Sequence, residues 1–201
     1  MAWYRRTFTL FGIPVAAFAI TACGANSGNS DSMSVVAAQT SPTTATPITS
    51  RHNDQDITFA QGMIRHHQQA IEMAGLAEDR ASSSAVKQLA TSIERAQRAE
   101  IEQMTEWLRS WGASTPTIDP EQHMGEGTMS PQDIKKLAAM SGAPFDKAFL
   151  TMMIDHHQGA IPMAKAEQTG GLSREAKNLA GNIADAQSAE IIKMRGLLEK
   201  M

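Results

Sequence analysis

The chain has 201 residues, 42% of them apolar, 19% charged and 5% aromatic, enough apolar surface for one globular domain and too little for two. Its formal charge is −3, or −5 once Arg5 and Arg6 are set aside, and no lysine-arginine block interrupts it, which excludes a nucleic-acid-binding composition. The single cysteine, Cys23, excludes intramolecular disulfides, zinc fingers and iron–sulfur clusters, whereas thirteen methionines and six histidines stand out.

Residues 1–22 read as a signal peptide: Arg5 and Arg6 supply the positive start, and Thr7 to Ile20 form an apolar run too short for a permanent span of about 20 residues. Ile20-Thr21-Ala22-Cys23 resembles a bacterial lipoprotein box, in which the cysteine is lipidated and becomes the mature N-terminus. Arg5-Arg6-Thr7-Phe8 also resembles a twin-arginine signal, although paired basic residues occur in many signal starts. Residues 23–53 are rich in Ser, Thr, Ala, Asn, Gly and Pro without period, the composition of a solvated tether. Together these segments predict an exported domain, residues 54–201, held by lipid at the outer face of a bacterial membrane or envelope.

That domain is written twice. Phe59–Ala74 matches Phe149–Ala164 at ten of sixteen positions, and at the same 90-residue offset Leu89–Leu108 matches Leu179–Leu198 at ten of twenty. Both segments carry apolar residues at helical spacing, so the repeated unit is a helical hairpin, with copies at about 54–111 and 145–199. The spacing predicts helices near 54–79, 84–111, 145–168 and 174–199, with breaks at Gly112, at Gly142 with Pro144, and at Gly170-Gly171. Between the copies, Ser130-Pro131 opens a short connecting helix ending near Met140. The expected fold is all-α: an up-down four-helix bundle with pseudo-twofold symmetry.

Polar residues interrupt the apolar stripes at matching places. His67 and His157 fall at the middle of their stripes, while His66 and His156 lie on the flanks, beside Met63 with Met73 and Met153 with Met163. Gln97 and Glu100 lie inside the second stripe, as do Gln187 and Glu190 inside the fourth. Buried polar groups are costly unless bonded or coordinated, so they form either a structural hydrogen-bonded layer or a metal site. Thioether with imidazole favours copper, particularly Cu(I), while carboxylate with imidazole suits iron, manganese or zinc. A connector bearing His123, Met124 and Met129 could add ligands from a glycine-rich loop. Met104 and Met194 read as core filler. Neither a nucleophilic triad nor a phosphate-cradling loop is evident.

These residues resemble a known family, the bacterial secreted domain of unknown function numbered 305, with its repeated His-His motif. The resemblance rests on Met63-Ile64-Arg65-His66-His67-Gln68-Gln69-Ala70 with Met73-Ala74, and on Met153-Ile154-Asp155-His156-His157-Gln158-Gly159-Ala160 with Met163-Ala164. Ala96-Gln97, Glu100-Ile101 and Met104, their later counterparts, and Phe145-Asp146-Lys147-Ala148-Phe149 extend it over roughly residues 53–199. It implies a ferritin-like four-helix bundle, and some similar proteins bind copper through methionine and histidine. The duplicated Glu-x-x-His pattern of ferritin di-iron sites is missing, so ferroxidase chemistry is not implied. Arg65, Gln69, Glu72 and Pro162 make the copies unequal, and Pro162 should bend its helix.

The resulting expectation is a lipid-anchored envelope protein that binds copper for buffering, for transfer to or from a partner protein, or for tolerance, with no catalytic role required. Met63, His66, Met73, Met153, His156 and Met163 are the principal candidate ligands. His67 and His157 are second candidates or orienting groups held by Glu100 and Glu190. The rivals are a metal-dependent oxidase with a core site of His67, Glu100, His157 and Glu190, and a metal-free helical interaction module.

Overall fold

The computed structural model describes residues 51–117 and 127–201. Cys23, the expected signal segment, most of the expected tether, His123 and Met124 lie outside the described residues. Six helices and no strand occur among the described residues.

Helix α1 (Asp54–Gly75) starts at Asn53, whose side chain accepts from the Gln55 and Asp56 N–H groups while the Asp56 carboxylate accepts from the Asn53 N–H. This reciprocal cap satisfies donors that the first helical turn leaves open. A four-residue helix α2 (Ala77–Arg80) continues α1 past Leu76. Helix α3 (Ser84–Ser110) is capped by the Ser83 hydroxyl and is followed by Gly112 at φ +69°. Helix α4 (Pro131–Ala139) has Ser130 as its cap and proline at its first position, where no backbone N–H is needed.

Helix α5 (Gly142–Gly170) begins earlier than the spacing predicts. Gly142 and Pro144, expected as a break, form its first turn, where a missing N–H removes no intrahelical bond. The helix carries exposed Pro162 in its interior, as the spacing predicts. Helix α6 (Arg174–Leu198) is capped by the Ser173 hydroxyl.

Helices α1 and α3 form one hairpin and α5 and α6 the other; the hairpins join mainly along α1 and α5, while α3 and α6 touch lightly. The two joining helices run antiparallel: Gln55 lies against Gly170, Gly62 against Met163, and His66 against His156. Two apolar clusters fill the bundle. One gathers Phe145, Phe149, Leu89, Ile93, Met73 and Met153, and the other Phe59, Ile64, Leu108, Ile183, Met63 and Met104. Each large side chain so buried contributes about 1.5–3 kcal/mol.

The repeat also ties the hairpins together through polar contacts that its apolar pattern did not announce. Asp146 on α5 accepts from the Ser82 and Ser83 N–H groups at 3.1 and 2.9 Å, and also from the Ser82 hydroxyl, just before α3. Its counterpart Asp56 on α1 accepts from the Leu172 and Ser173 N–H groups at 3.1 and 2.9 Å, just before α6. Each hairpin therefore completes the turn of the other. No helix among the described residues is long and apolar enough to cross a membrane.

Candidate metal centre

The two His-His motifs meet at the α1–α5 seam. His66 and His156 are 2% and 0% exposed, and their rings face each other with centroids 3.8 Å apart and planes tilted by 43°. All four of their ring nitrogens are buried without a hydrogen-bond partner. Burial, followed by neighbouring His67 and His157, pulls His66 down to about 3; the nearby backbone of His156 opposes this without reaching hydrogen-bond geometry. Burial likewise holds His156 well below the ordinary histidine range. Both rings are therefore neutral at physiological pH, so each carries a free lone pair into the seam.

His67 and His157 are bonded on one side. Each is fully buried, and its Nε2 lies 2.7 Å from a carboxylate oxygen, that of Glu100 for His67 and of Glu190 for His157. The carboxylate accepts, which sets Nε2 as a protonated nitrogen. Both Nδ1 atoms are buried and unpartnered. The spacing placed Glu100 and Glu190 inside the bundle; they sit instead at its rim, their side chains 21% and 24% exposed, with each carboxylate aimed inward at a histidine. Gln97 and Gln187, each 3% exposed, add four more polar atoms without partners.

The methionines are arranged across the copies, not within them. Met63 lies in one apolar cluster with Met163 packed against it, while Met73 and Met153 share the other cluster. Because α1 and α5 are antiparallel, this puts one sulfur pair on each side of the His66–His156 contact. Met63, Met73 and Met153 are fully buried and Met163 partly so. Beside the grouping of Met63, His66 and Met73 along one helix, the packing brings methionines of the two copies into shared clusters. Met104 and Met194 are fully buried in the two clusters. Met129 is partly buried against the cluster holding Met73 and Met153.

Among the described residues, no three His, Cys, Asp or Glu side chains converge in a geometry able to hold a metal ion. Nitrogen and oxygen donors alone therefore do not complete a site at His67, Glu100, His157 and Glu190. Imidazole nitrogens meet at the seam, and thioether sulfurs lie in the apolar clusters on either side of it, both soft donors.

Sequence reasoning missed a second buried polar pair near the end of the bundle. Glu167, fully buried, lies beside the Asp56 carboxylate, and the Gln55 side chain and the Lys177 charge only partly offset that neighbour. Burial, then the hydrogen bond to Asp56 and that group's charge, pushes Glu167 up to about 8, so it is protonated at neutral pH and donates to Asp56. Burial would raise Asp56 too, but the bond from Glu167 and the N–H groups of Asn53, Ser173 and Leu172 outweigh it and hold Asp56 low. Glycine at 171 makes room, since a Cβ there would overlap the Glu167 carboxyl. The matching position in the first copy is Ala77, so the repeat gave no sign of this pair.

Residues 56–198 match the family described as the domain of unknown function DUF305. The fold matches a DUF305 protein of Streptomyces coelicolor described as secreted, with 31% identity and a TM-score of 0.68 over 73% of this chain and 93% of that one. A DUF305 fragment from Deinococcus radiodurans also matches, with 31% identity and a TM-score of 0.68 over 74% of this chain and 98% of that one. CopM in its Cu(I)-bound form is similar at 33% identity and a TM-score of 0.62, over 72% of this chain and 96% of CopM, and CopM has also been solved in Cu(II)- and silver-bound forms. No curated protein matches significantly. A duplicated helical hairpin matched over its whole length, in sequence and in fold, makes this chain a member of the DUF305 family.

Proposed function

We propose that this is an exported, lipid-anchored protein that binds copper, chiefly Cu(I), at one site shared by the two copies, and buffers the ion or passes it to a partner protein. His66 and His156 would supply nitrogen, and the pairs Met63 with Met163 and Met73 with Met153 would supply sulfur from either side. His67 and His157, steadied by Glu100 and Glu190, are further donors through Nδ1 or orient the site, and Met129 stands at its margin. Cys23 would carry the lipid.

The observation that carries this reading is the face-to-face pair His66–His156, whose four ring nitrogens are buried and unpartnered. An orphaned buried donor or acceptor costs about 1–3 kcal/mol, so a layer of them is retained where something other than folding uses it. Neutral imidazole and thioether are ligands Cu(I) prefers, and they bind it without a thiol that the extracellular environment would oxidise. CopM, similar over nearly its whole length, binds Cu(I), Cu(II) and silver, a set that includes two soft ions.

The test is a competitive titration of the whole protein with Cu(I), Cu(II), Zn(II) and Fe(II), set against a variant carrying Met63→Leu, Met73→Leu, Met153→Leu and Met163→Leu. The expected result is one tightly held Cu(I) per chain, lost in the variant. Retention of harder ions only, unchanged in the variant, would point to an oxygen and nitrogen site instead.

A further inference from the structure

The copies differ at one position beside the histidines in a way that fixes the connector. Gln69, 1% exposed on α1, donates from Nε2 to the Met129 carbonyl at 2.9 Å and accepts from the Met129 N–H at 2.7 Å. The matching position on α5 is Gly159, and Gly127 rests on it. A Cβ on Gly127 would lie 2.7 Å from the Gly159 Cα and 2.9 Å from the Asp155 carbonyl oxygen, and Gly127 has a φ of +80°.

These two anchor points straddle the histidine pair. Gln69 is one helical turn past His66, about 4.5 Å along α1, and Gly159 is one turn past His156 in the opposite direction because the helices are antiparallel. From Gly127 to Met129 the chain can reach about 7 Å, so it runs obliquely across the seam between the two anchors. Both anchors share a helix face with their histidine, since residues three apart lie on one side.

We propose that Gln69 is a positioning residue for the site: by gripping both backbone groups of Met129, with Gly159 leaving room for Gly127, it fixes residues 127–129 over His66 and His156 and sets how fast an ion exchanges there. The residue acts through the connector, holding Met129 by its backbone and not by its sulfur. Its glutamine gives two bonds to one peptide strand, as a paired strand would, which a single hydroxyl could not. The inference about ion exchange rests on the proposed copper site; the covering of the histidines does not.

Two measurements on the full chain separate these layers. In the metal-free protein, modification of His66 and His156 by diethyl pyrocarbonate is followed by peptide mass spectrometry; in the Cu(I)-loaded protein, capture of the ion by excess bathocuproine is timed. Gln69→Ala should accelerate both by about thirtyfold, the factor for losing two hydrogen bonds of ordinary net strength. Gly127→Ala, which displaces the connector without touching α1, should do the same and serves if Gln69→Ala fails to fold. Variants that melt earlier yet keep wild-type rates in both assays would make Gln69 a purely structural tie and overturn the proposal. If the wild-type chain retains no Cu(I), the copper reading fails, and faster histidine modification in the variants still decides whether Gln69 holds the cover.

Discussion

Two pairs of buried polar residues are related by the same repeat, and they live opposite lives. Asp56 and Asp146 are surrounded by donors: two backbone N–H groups from the opposite hairpin each, with a further bond from Asn53 or Ser82. His66 and His156, midway along the bundle, have no hydrogen-bond partner for any ring nitrogen. A bonded buried polar group holds a fold together, and an orphaned one weakens it. Stability therefore resides in the turns, the proposed binding chemistry lies at the centre, and substitutions should separate the two.

The largest loss of stability is expected where the bonds are complete. Asp146→Ala leaves the Ser82 and Ser83 N–H groups without their acceptor at the start of α3 and should destabilise the protein by about 2–4 kcal/mol, read as a lower urea midpoint. An unchanged midpoint would deny the turns their role.

A smaller effect is expected at the Asp56–Glu167 pair, and it depends on pH. Glu167 is raised from its ordinary value of 4.5 to about 8, so its contribution is fully present below 4.5 and is lost as pH rises to and through about 8. Wild-type protein should thus melt lower at pH 9 than at pH 6, by about 5 °C. Glu167→Gln, which cannot ionise and still offers Asp56 a donor, should remove that slope.

The smallest change in stability is expected at the centre. Replacing His66 and His156 together by leucine removes orphaned polar atoms from an apolar seam and should leave unfolding free energy within about 1 kcal/mol of wild type, or raise it. The same variant should lose Cu(I) binding in the titration. A collapse of stability without any metal effect would return the histidines to a structural role.

Much of this contrast was legible in the sequence and part of it was not. The hairpins could be read because helical spacing and identities recur at a fixed offset, and His67 with Glu100 could be paired because both interrupt apolar stripes. The direction of packing between copies is not a property of either stripe. Hence the spacing grouped Met63 with Met73, while antiparallel packing groups Met63 with Met163. Gln69 was visible as a departure from Gly159, but its partner lies sixty residues away in the connector. Glu167 carried no signal, since alanine stands at its counterpart and only burial beside Asp56 gives it meaning.

The exchanged carboxylates have an ancestral reading as well. Asp56 serves the turn before α6, and Asp146 serves the turn before α3, so neither hairpin contains the acceptor its own turn requires. A half-length chain with this sequence would finish its turns, and bring two histidines face to face, only by pairing with an identical copy about a twofold axis. Fusion of two such chains would have made that symmetry intramolecular and let the halves differ, glutamine in one and glycine in the other, so that a single connector spans both.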